Sequence, residues 1–281
     1  MINYWIDDTL RNSIQNANPL TYVSAKKTIS IIILNWNSLD LLIRCLTLIN
    51  QTTSVHYTMI IVDNGSTDGS QEYLRLQKFN SIYNDYRPNF KILLNKTNLG
   101  FAKGVNLGIK NANENDDIIL MNVDAEPQSR WLEELVVTQK KYFAGIVGPL
   151  GNNLPSKYQS LDSVEHDTQV TILIFYCVLI SRKVIDKIGL LDERYGLGGY
   201  EDNDYCFRTV LARFNNFISA KSTVLHEPHQ VTKMNGLPEN LFEKNRDVFS
   251  EKFYAVLMSL SKDHYLYNDN EFAKRIGLFI D

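Results

Sequence analysis

The sequence predicts an α/β fold of Rossmann-like type, with a mostly parallel central sheet flanked by helices and a C-terminal helical appendage. Three observations carry that reading. Apolar, β-branched runs alternate with segments of helical period from Ile29 to about Gly148. The runs are continuous rather than alternating, as expected of strands buried on both faces. Polar clusters recur directly after the runs, where sheets of this kind bind their ligands.

In order, Ile29–Leu34 reads as the first strand and Leu39–Ile49 as a helix, with Leu41, Leu42, Cys45, Leu46 and Ile49 on its apolar face. Asn37 or Ser38 is expected to cap it, and Asp40 to pair with Arg44 at i,i+4. Thr58–Val62 is a strand, Ser70–Phe79 a helix, Phe90–Leu94 a strand and Phe101–Ala112 a helix. Asp117–Met121 is a strand, Arg130–Lys140 a helix and Gly145–Gly148 a short strand. After Pro149 the rhythm changes. Asn152–Gln169 reads as a loop over the site and Val170–Ser181 as a strand. Arg182–Gly189 reads as a short helix ended by its glycine. Asp202–Phe214 is a helix and Phe217–Val224 a strand. Pro238–Asp281 reads as about two amphipathic helices carrying Phe242, Phe249, Phe253, Leu257 and Leu260. The expected organisation is an N-terminal extension over 1–27, a main domain over 28–235 divided into halves 28–126 and 127–235, and a tail over 236–281.

The 281 residues are 44% apolar and 22% charged, with a formal net charge of −3. That is ample for a core and gives no basic character to suggest nucleic acid. Any phosphate the chain handles is met locally. Three scattered cysteines, Cys45, Cys177 and Cys206, fit a reducing compartment rather than a disulfide framework. The N-terminus lacks an apolar signal core, and the longest apolar run, Ile172 to Ile180, is about half a membrane span. A cytoplasmic protein is expected, with peripheral contact at the inner face of a membrane, and a homodimer, both left open.

Five clusters carry candidate chemistry. Asp63 ends a buried strand and opens the turn Asn64–Asp68; its carboxylate can accept the imide N–H of a pyrimidine, while Asp68 reads equally as a helix cap. Asn98–Asn106 contains Gly100, Phe101, Lys103, Gly104 and Asn106 at a helix start. There backbone can approach an anion, and a glycine used for packing is the plainer alternative. Asn122, Val123, Asp124 and Glu126 end a strand; if extended, Asp124 and Glu126 face one side and can share a hard divalent cation. Gly198 and Gly199 precede Tyr200, Glu201, Asp202 and Asp204, which suggests a mobile loop before an acidic helix start. Asp204 has a structural alternative, pairing with Arg208. His226, with His229 nearby, becomes a candidate ligand if Asp124 holds a metal.

Taken in order, these segments resemble the family 2 glycosyltransferases of the GT-A fold, particularly the bacterial rhamnosyltransferase-like branch. The matching pieces are Ile31–Asn37, Ile61–Asp68, Asn98–Asn106, Leu120–Asp124, Ile188–Arg194, Tyr200–Asp204 with Arg208, and Val224–His226. They span about seven-tenths of the chain, from Ser30 to about Pro228. The resemblance implies an inverting transfer of a sugar from a UDP- or dTDP-sugar donor to the hydroxyl of a glycan, lipid-linked or other acceptor, in cell-surface polysaccharide or glycoconjugate synthesis. It implies Asp202 as catalytic base, Asp124 and His226 as ligands of Mn²⁺ or Mg²⁺, and Asp63 on the base. Asn35, Asn37, Gly100, Phe101, Lys103, Asn106, Asn122 and Val123 border the donor, and Gly199, Tyr200 and Glu201 the acceptor side. Asn122 stands where the family's metal motif carries an earlier acid, so one carboxylate is left for the metal.

Two other readings compete. A sugar nucleotidyltransferase needs a glycine-rich loop with a basic residue after the first strand, where this chain has Asn35-Trp36-Asn37-Ser38. A dinucleotide oxidoreductase would carry G-x-G-x-x-G there. A non-catalytic nucleotide- or carbohydrate-binding module on a transferase-like fold would have no reason to keep both Asp124 and Asp202.

Overall fold

A computed structural model describes residues 28–79, 90–152, 154, 159–161, 163–226 and 241–262. The expected extension over 1–27, His229, much of the expected loop after Asn152, and any helix beyond 262 lie outside the described residues, as do the side chains of Leu257 and Leu260.

The first half alternates as its sequence pattern requires. β1 (Ile29–Asn35), α1 (Leu39–Thr52), β2 (Tyr57–Asp63), α2 (Ser70–Phe79), β3 (Phe90–Leu94), α3 (Phe101–Asn111) and β4 (Asp117–Asn122) follow one another. Then come β5 (Ala125–Pro127), α4 (Trp131–Tyr142), β6 (Ile146–Leu150), β7 (Thr168–Val170), β8 (Cys177–Ile180), α5 (Arg182–Ile188), a 3-10 turn (Glu193–Tyr195), α6 (Glu201–Leu211), β9 (Asn216–His226) and α7 (Leu241–Lys262).

The sheet runs β3-β2-β1-β4-β8-β6-β9-β5, with β7 also paired to β9. β3, β2, β1 and β4 are parallel. β8 runs antiparallel to β4 and β6, while β6 and β9 are parallel. The β-branched runs explain the central strands. Ile31 and Ile33 bury against Leu42, Cys45, Ile49 and Trp131 on one face, and Ile32 against Ala102, Val105 and Ile109 on the other. Gly104 and Gly108 let α3 lie close on β1; a Cβ at either would come within 2.4 and 2.5 Å of Leu34 and Ile32. The packing alternative for those glycines therefore holds.

The strand order reverses between β1 and β4. Asn35 stands opposite Asp63 and Leu34 opposite Asn122, so the carboxyl ends of β1, β2 and β4 share one level. That is the crevice where such sheets seat ligands.

Several expectations need correction. Val170–Ser181 is not one strand. Residues between β7 and β8 give their backbone groups to side chains: Thr171 O to Asn216, Leu173 N to Cys206 and Ile174 N to Gln159. α6 stops at Leu211, because Arg213 takes a left-handed φ of +69°. Neither Asn37 nor Ser38 caps α1; Asp68 accepts from Leu39 N at 2.8 Å while Ser38 Oγ turns to Trp36 O. Arg44 bonds Glu126 at 2.8 Å instead of Asp40. β5 was not anticipated. The described tail is one helix, with Phe249 and Phe253 buried and Phe242 exposed. All three cysteines are free and buried. No described helix is long and apolar enough to cross a membrane.

Candidate functional site

The crevice is walled first by a lattice of amides and hydroxyls. Asp63 is fully buried; its Oδ1 accepts from Ser66 N and Gln71 Nε2, and its Oδ2 from Asn35 Nδ2 at 2.8 Å. A carboxylate offers about four acceptor positions, so one remains. Asn35 Oδ1 beside it is buried without a partner. Asn64 gathers Asn95, Asn98 and the Gly100 carbonyl, while Asn37, at φ +46°, accepts from Thr67 N. Asp68 also accepts from Ser70 N, so it ties the starts of α1 and α2 together and is structural.

At the next strand end Asp124 does not continue β4. It sits in the turn between β4 and β5, so the extended i,i+2 argument for Asp124 with Glu126 fails, and Glu126 is engaged by Arg44. β5 instead pairs antiparallel with β9, setting Ala125 opposite His226. That pairing brings Asp124 Oδ1 to 3.3 Å from His226 Nε2. Both side chains are nine-tenths or more buried. Asp124 Oδ1 and His226 Nδ1 have no hydrogen-bond partner. A buried carboxylate oxygen without a partner costs about 1–3 kcal/mol, so Asp124 Oδ1, which faces His226 Nε2, points to something that binds it; Nδ1 lies on the other side of the ring. A carboxylate oxygen beside an imidazole nitrogen fits a divalent cation. No group of three or more acidic, His or Cys side chains suited to a metal occurs among the described residues.

Asp202, in the first turn of α6, lies near the Phe175–Tyr176 dipeptide. Its carboxylate accepts from Asn203 N at 2.8 Å, and the nearby Phe175 backbone favours its charged form. The adjacent Tyr176 lies with its ring 4.9 Å from that of His226, and its carbonyl accepts from Asn122 N. Desolvation pushes the Asp202 carboxyl above the usual range, against hydrogen bonds that pull it down. Glu201 is raised further, by desolvation first and by the Asp202 charge second, and its buried Oε2 has no partner. Asp204, fully buried, is a structural anchor held by Arg208 at 2.6 Å, Tyr195 and Lys252.

The two halves of the crevice touch at Gly100. A Cβ there would stand 2.0 Å from the Gly196 carbonyl, so only glycine lets the loop before α3 meet the loop before α6. Phe101 is half-buried beside Gly198, and Lys103 is exposed on the first turn of α3.

Some expected donor contacts are corrected. Asn106 is 1% exposed and spends its amide on Leu191 N, Leu191 O and Glu193, clasping the segment after α5. The Val123 side chain packs in the core, so only its backbone can meet a ligand. Gly199 is held rather than loose: its carbonyl accepts from Asn245 on α7, and Tyr200 leans on Phe249. Asn245, Lys252 and Tyr176 had no local sequence signal; each acts through partners distant in the chain.

Known proteins of this shape share the arrangement of strands. The chain is 27% identical over 183 residues to glycosyltransferase AglE of Haloferax volcanii, covering 61% of this chain and 58% of that protein. The GalNAc-T7 structure with UDP, GalNAc and Mn²⁺ superposes with a TM-score of 0.60 at 16% identity, covering 73% of this chain and 44% of that one. A mannosyltransferase from Pyrobaculum calidifontis, in complex with GDP-Man and Mn²⁺, gives 0.60 at 13% identity over 95% of this chain and 73% of that one. TarS 1–349 of S. aureus with UDP-GlcNAc gives 0.56 at 16% identity, over 70% of this chain and 58% of that one. The chain thus spans less than two thirds of AglE, GalNAc-T7 and the TarS piece. These likenesses show the fold. The model of glycosyl transferase family 2 matches residues 30–189, more than half the chain, and on that match the chain belongs to glycosyl transferase family 2.

Proposed function

We propose that this protein is an inverting glycosyltransferase that moves a sugar from a nucleoside diphosphate carrier to an acceptor hydroxyl. The observation that carries the reading is the pair Asp124 and His226, with Asp124 Oδ1 buried, unpartnered and 3.3 Å from Nε2, at the strand-order switch. Family 2 members are inverting enzymes. Solved proteins of this fold hold Mn²⁺ with UDP or GDP-Man, which supports a divalent cation here.

Asp124 and His226 would hold that cation, and Asn122 borders it. A bound divalent ion supplies charge neutralisation to the departing diphosphate. Asp202 takes the proton of the acceptor hydroxyl as its oxygen bonds the anomeric carbon and the bond from that carbon to the diphosphate oxygen breaks. Asn35 Oδ1 and the remaining lone pair of Asp63 supply acceptors for the imide of a uracil or thymine, in support of a UDP- or dTDP-sugar. We extend the reading to the rhamnosyltransferase-like branch, and to bacterial surface-polysaccharide or glycoconjugate synthesis, on the resemblance carried by the seven motifs from Ile31 to His226. We divide the chain into a donor half, 28–126, and an acceptor half, 127–235, with a tail from 236.

The test is nucleotide release from a panel of UDP-, dTDP- and GDP-sugars with Mn²⁺ and candidate saccharide acceptors. Asp202→Asn is expected to lose about 10²–10⁴-fold in turnover, the usual share of a general base. Turnover near wild type would remove Asp202 from that role. Tight binding across the panel without release would favour a non-catalytic module.

A further inference from the structure

Helix α7 carries a buried amide that the proposed chemistry does not use. Asn245 is 2% exposed and turns Nδ2 toward three backbone carbonyls: Tyr195 at 2.8 Å, Gly198 at 2.8 Å and Gly199 at 2.9 Å. Those carbonyls belong to a segment of unusual backbone. Gly196, Gly198, Gly199 and Tyr200 have φ of +60°, +140°, +96° and +72°. A side-chain-bearing residue such as Tyr200 in the left-handed region is strained, because its Cβ crowds the backbone carbonyl. Such runs persist where surrounding structure over-determines them. One amide serving three carbonyls within residues 195–199 is a restraint of that kind.

The restrained segment opens directly into α6. Its last residue, Tyr200, is followed by Glu201 and Asp202, so the path of the loop sets where those carboxylates stand. The same loop meets the donor half at Gly100. A second tie from α7 supports the first: Lys252 bonds Asp192 at 2.7 Å and also the buried Asp204 of α6. Alongside the two ties, Phe249 and Phe253 pack on Phe207 and Tyr195. The apolar contact alone would explain a helix that merely covers the core. It does not explain Asn245, which adds a desolvated amide whose burial is offset only by its hydrogen bonds.

We propose that Asn245 is a positioning residue: from the C-terminal helix it holds the 195–200 loop in the conformation that presents Glu201 and Asp202 to the acceptor. The proposal rests on the reading of Asp202 as base. The tail is then a working part of the acceptor side as well as a cover.

Two variants test it. Asn245→Asp is isosteric but sets carboxylate oxygens against three carbonyl oxygens. Asn245→Ser keeps a single, shorter donor. Three readouts are compared with wild type: calorimetric binding of UDP with Mn²⁺, nucleotide release from the UDP-, dTDP- and GDP-sugar panel, and amide exchange over residues 196–204 by mass spectrometry. For Asn245→Ser we expect UDP affinity and donor KM to stay within about twofold, since its bonds go to Tyr195, Gly198 and Gly199 and none to Asn35, Asp63 or Asn64. We expect kcat to fall about tenfold to a hundredfold, the cost of displacing a reacting group by a fraction of an ångström to one ångström. Exchange over 196–204 should quicken about tenfold as the loop opens locally. A folded Asn245→Ser protein with wild-type kcat and wild-type exchange overturns the proposal. So does loss of folding in both variants, which would make the amide a global rather than a local support. Asp202→Asn separates the two claims: if it keeps turnover, the base reading fails while the exchange result stands; if it is inactive and Asn245→Ser is wild-type, this inference alone fails.

Discussion

The donor half and the acceptor half solve the same problem, holding polar groups at the edge of a sheet, in different ways. In the donor half the groups hold one another. Asn35, Asp63, Ser66 and Gln71 are linked to one another, and Gln71 joins them through Asn95 to Asn64 and Asn98, all at or just after the ends of parallel strands. In the acceptor half the acids begin a helix whose entry loop is held from outside, by Asn245 and Lys252 on α7. Glu201 and Asp202 stay poorly solvated there, with a buried Oε2 unpartnered. A self-contained lattice suits a nucleotide that must be read the same way each time. Acids held in a dry, braced turn suit a group whose proton affinity must be raised.

The largest predicted effect attacks the brace. Phe253→Ala should destabilise by about 3–5 kcal/mol, because it empties a buried aromatic site between α7 and Phe207. Chemical denaturation measures it. The contrast between halves sharpens if the remaining folded protein still binds UDP with Mn²⁺; equal loss of both properties would break it.

Next comes pH. The raised carboxyls of Glu201 and Asp202 bind protons in the folded state at pH values where an unfolded chain, near 4, has released them. Their contribution to stability is therefore fully present below the ordinary carboxylate range and is lost as pH rises through the raised values. Turnover runs the other way, since Asp202 must be unprotonated to accept a proton, so its acid limb should lie above the ordinary aspartate value of about 3.9. Denaturation and rate profiles over the same pH series check both signs. An acid limb in the ordinary range would mean the acceptor-half acids are well solvated.

The smallest effect lies in the donor half. Asp68→Ala removes acceptors from the starts of α1 and α2, and should cost about 0.5–2 kcal/mol, the range for a lost helix cap. Thermal unfolding measures it, and a cost near zero would show that the lattice tolerates gaps.

The same contrast governs what could be read in advance. β1, α2, β3, α3 and β4 follow from short-range pattern, because a β-branched run and a 3.6-residue period are local properties. Asp63, Asp124 and Asp202 were visible as acids at strand or helix ends. What joins them was not. Asp124 meets His226 only because β5 pairs with β9, and β5 is three residues long with no pattern of its own. Arg44 prefers Glu126 to Asp40 for the same reason: tertiary approach outweighs an i,i+4 pair worth a few tenths of a kcal/mol. The double glycine read as a mobile loop is clamped by Asn245, 46 positions away from Gly199 in sequence. Asn106 looked like a donor contact because it follows a glycine cluster, and its true partners, Leu191 and Glu193, lie on a distant turn.

The claim on which the account turns is that Asp124 and His226 together hold a cation that a nucleoside diphosphate needs. Calorimetric titration of UDP into wild type and Asp124→Asn, each with and without Mn²⁺, tests it directly. Mn²⁺ is expected to tighten UDP binding to wild type by about tenfold or more and to leave Asp124→Asn nearly unchanged, since a neutral amide is a poor ligand for a hard cation. Equal Mn²⁺ enhancement in both proteins, or none in wild type, would contradict it.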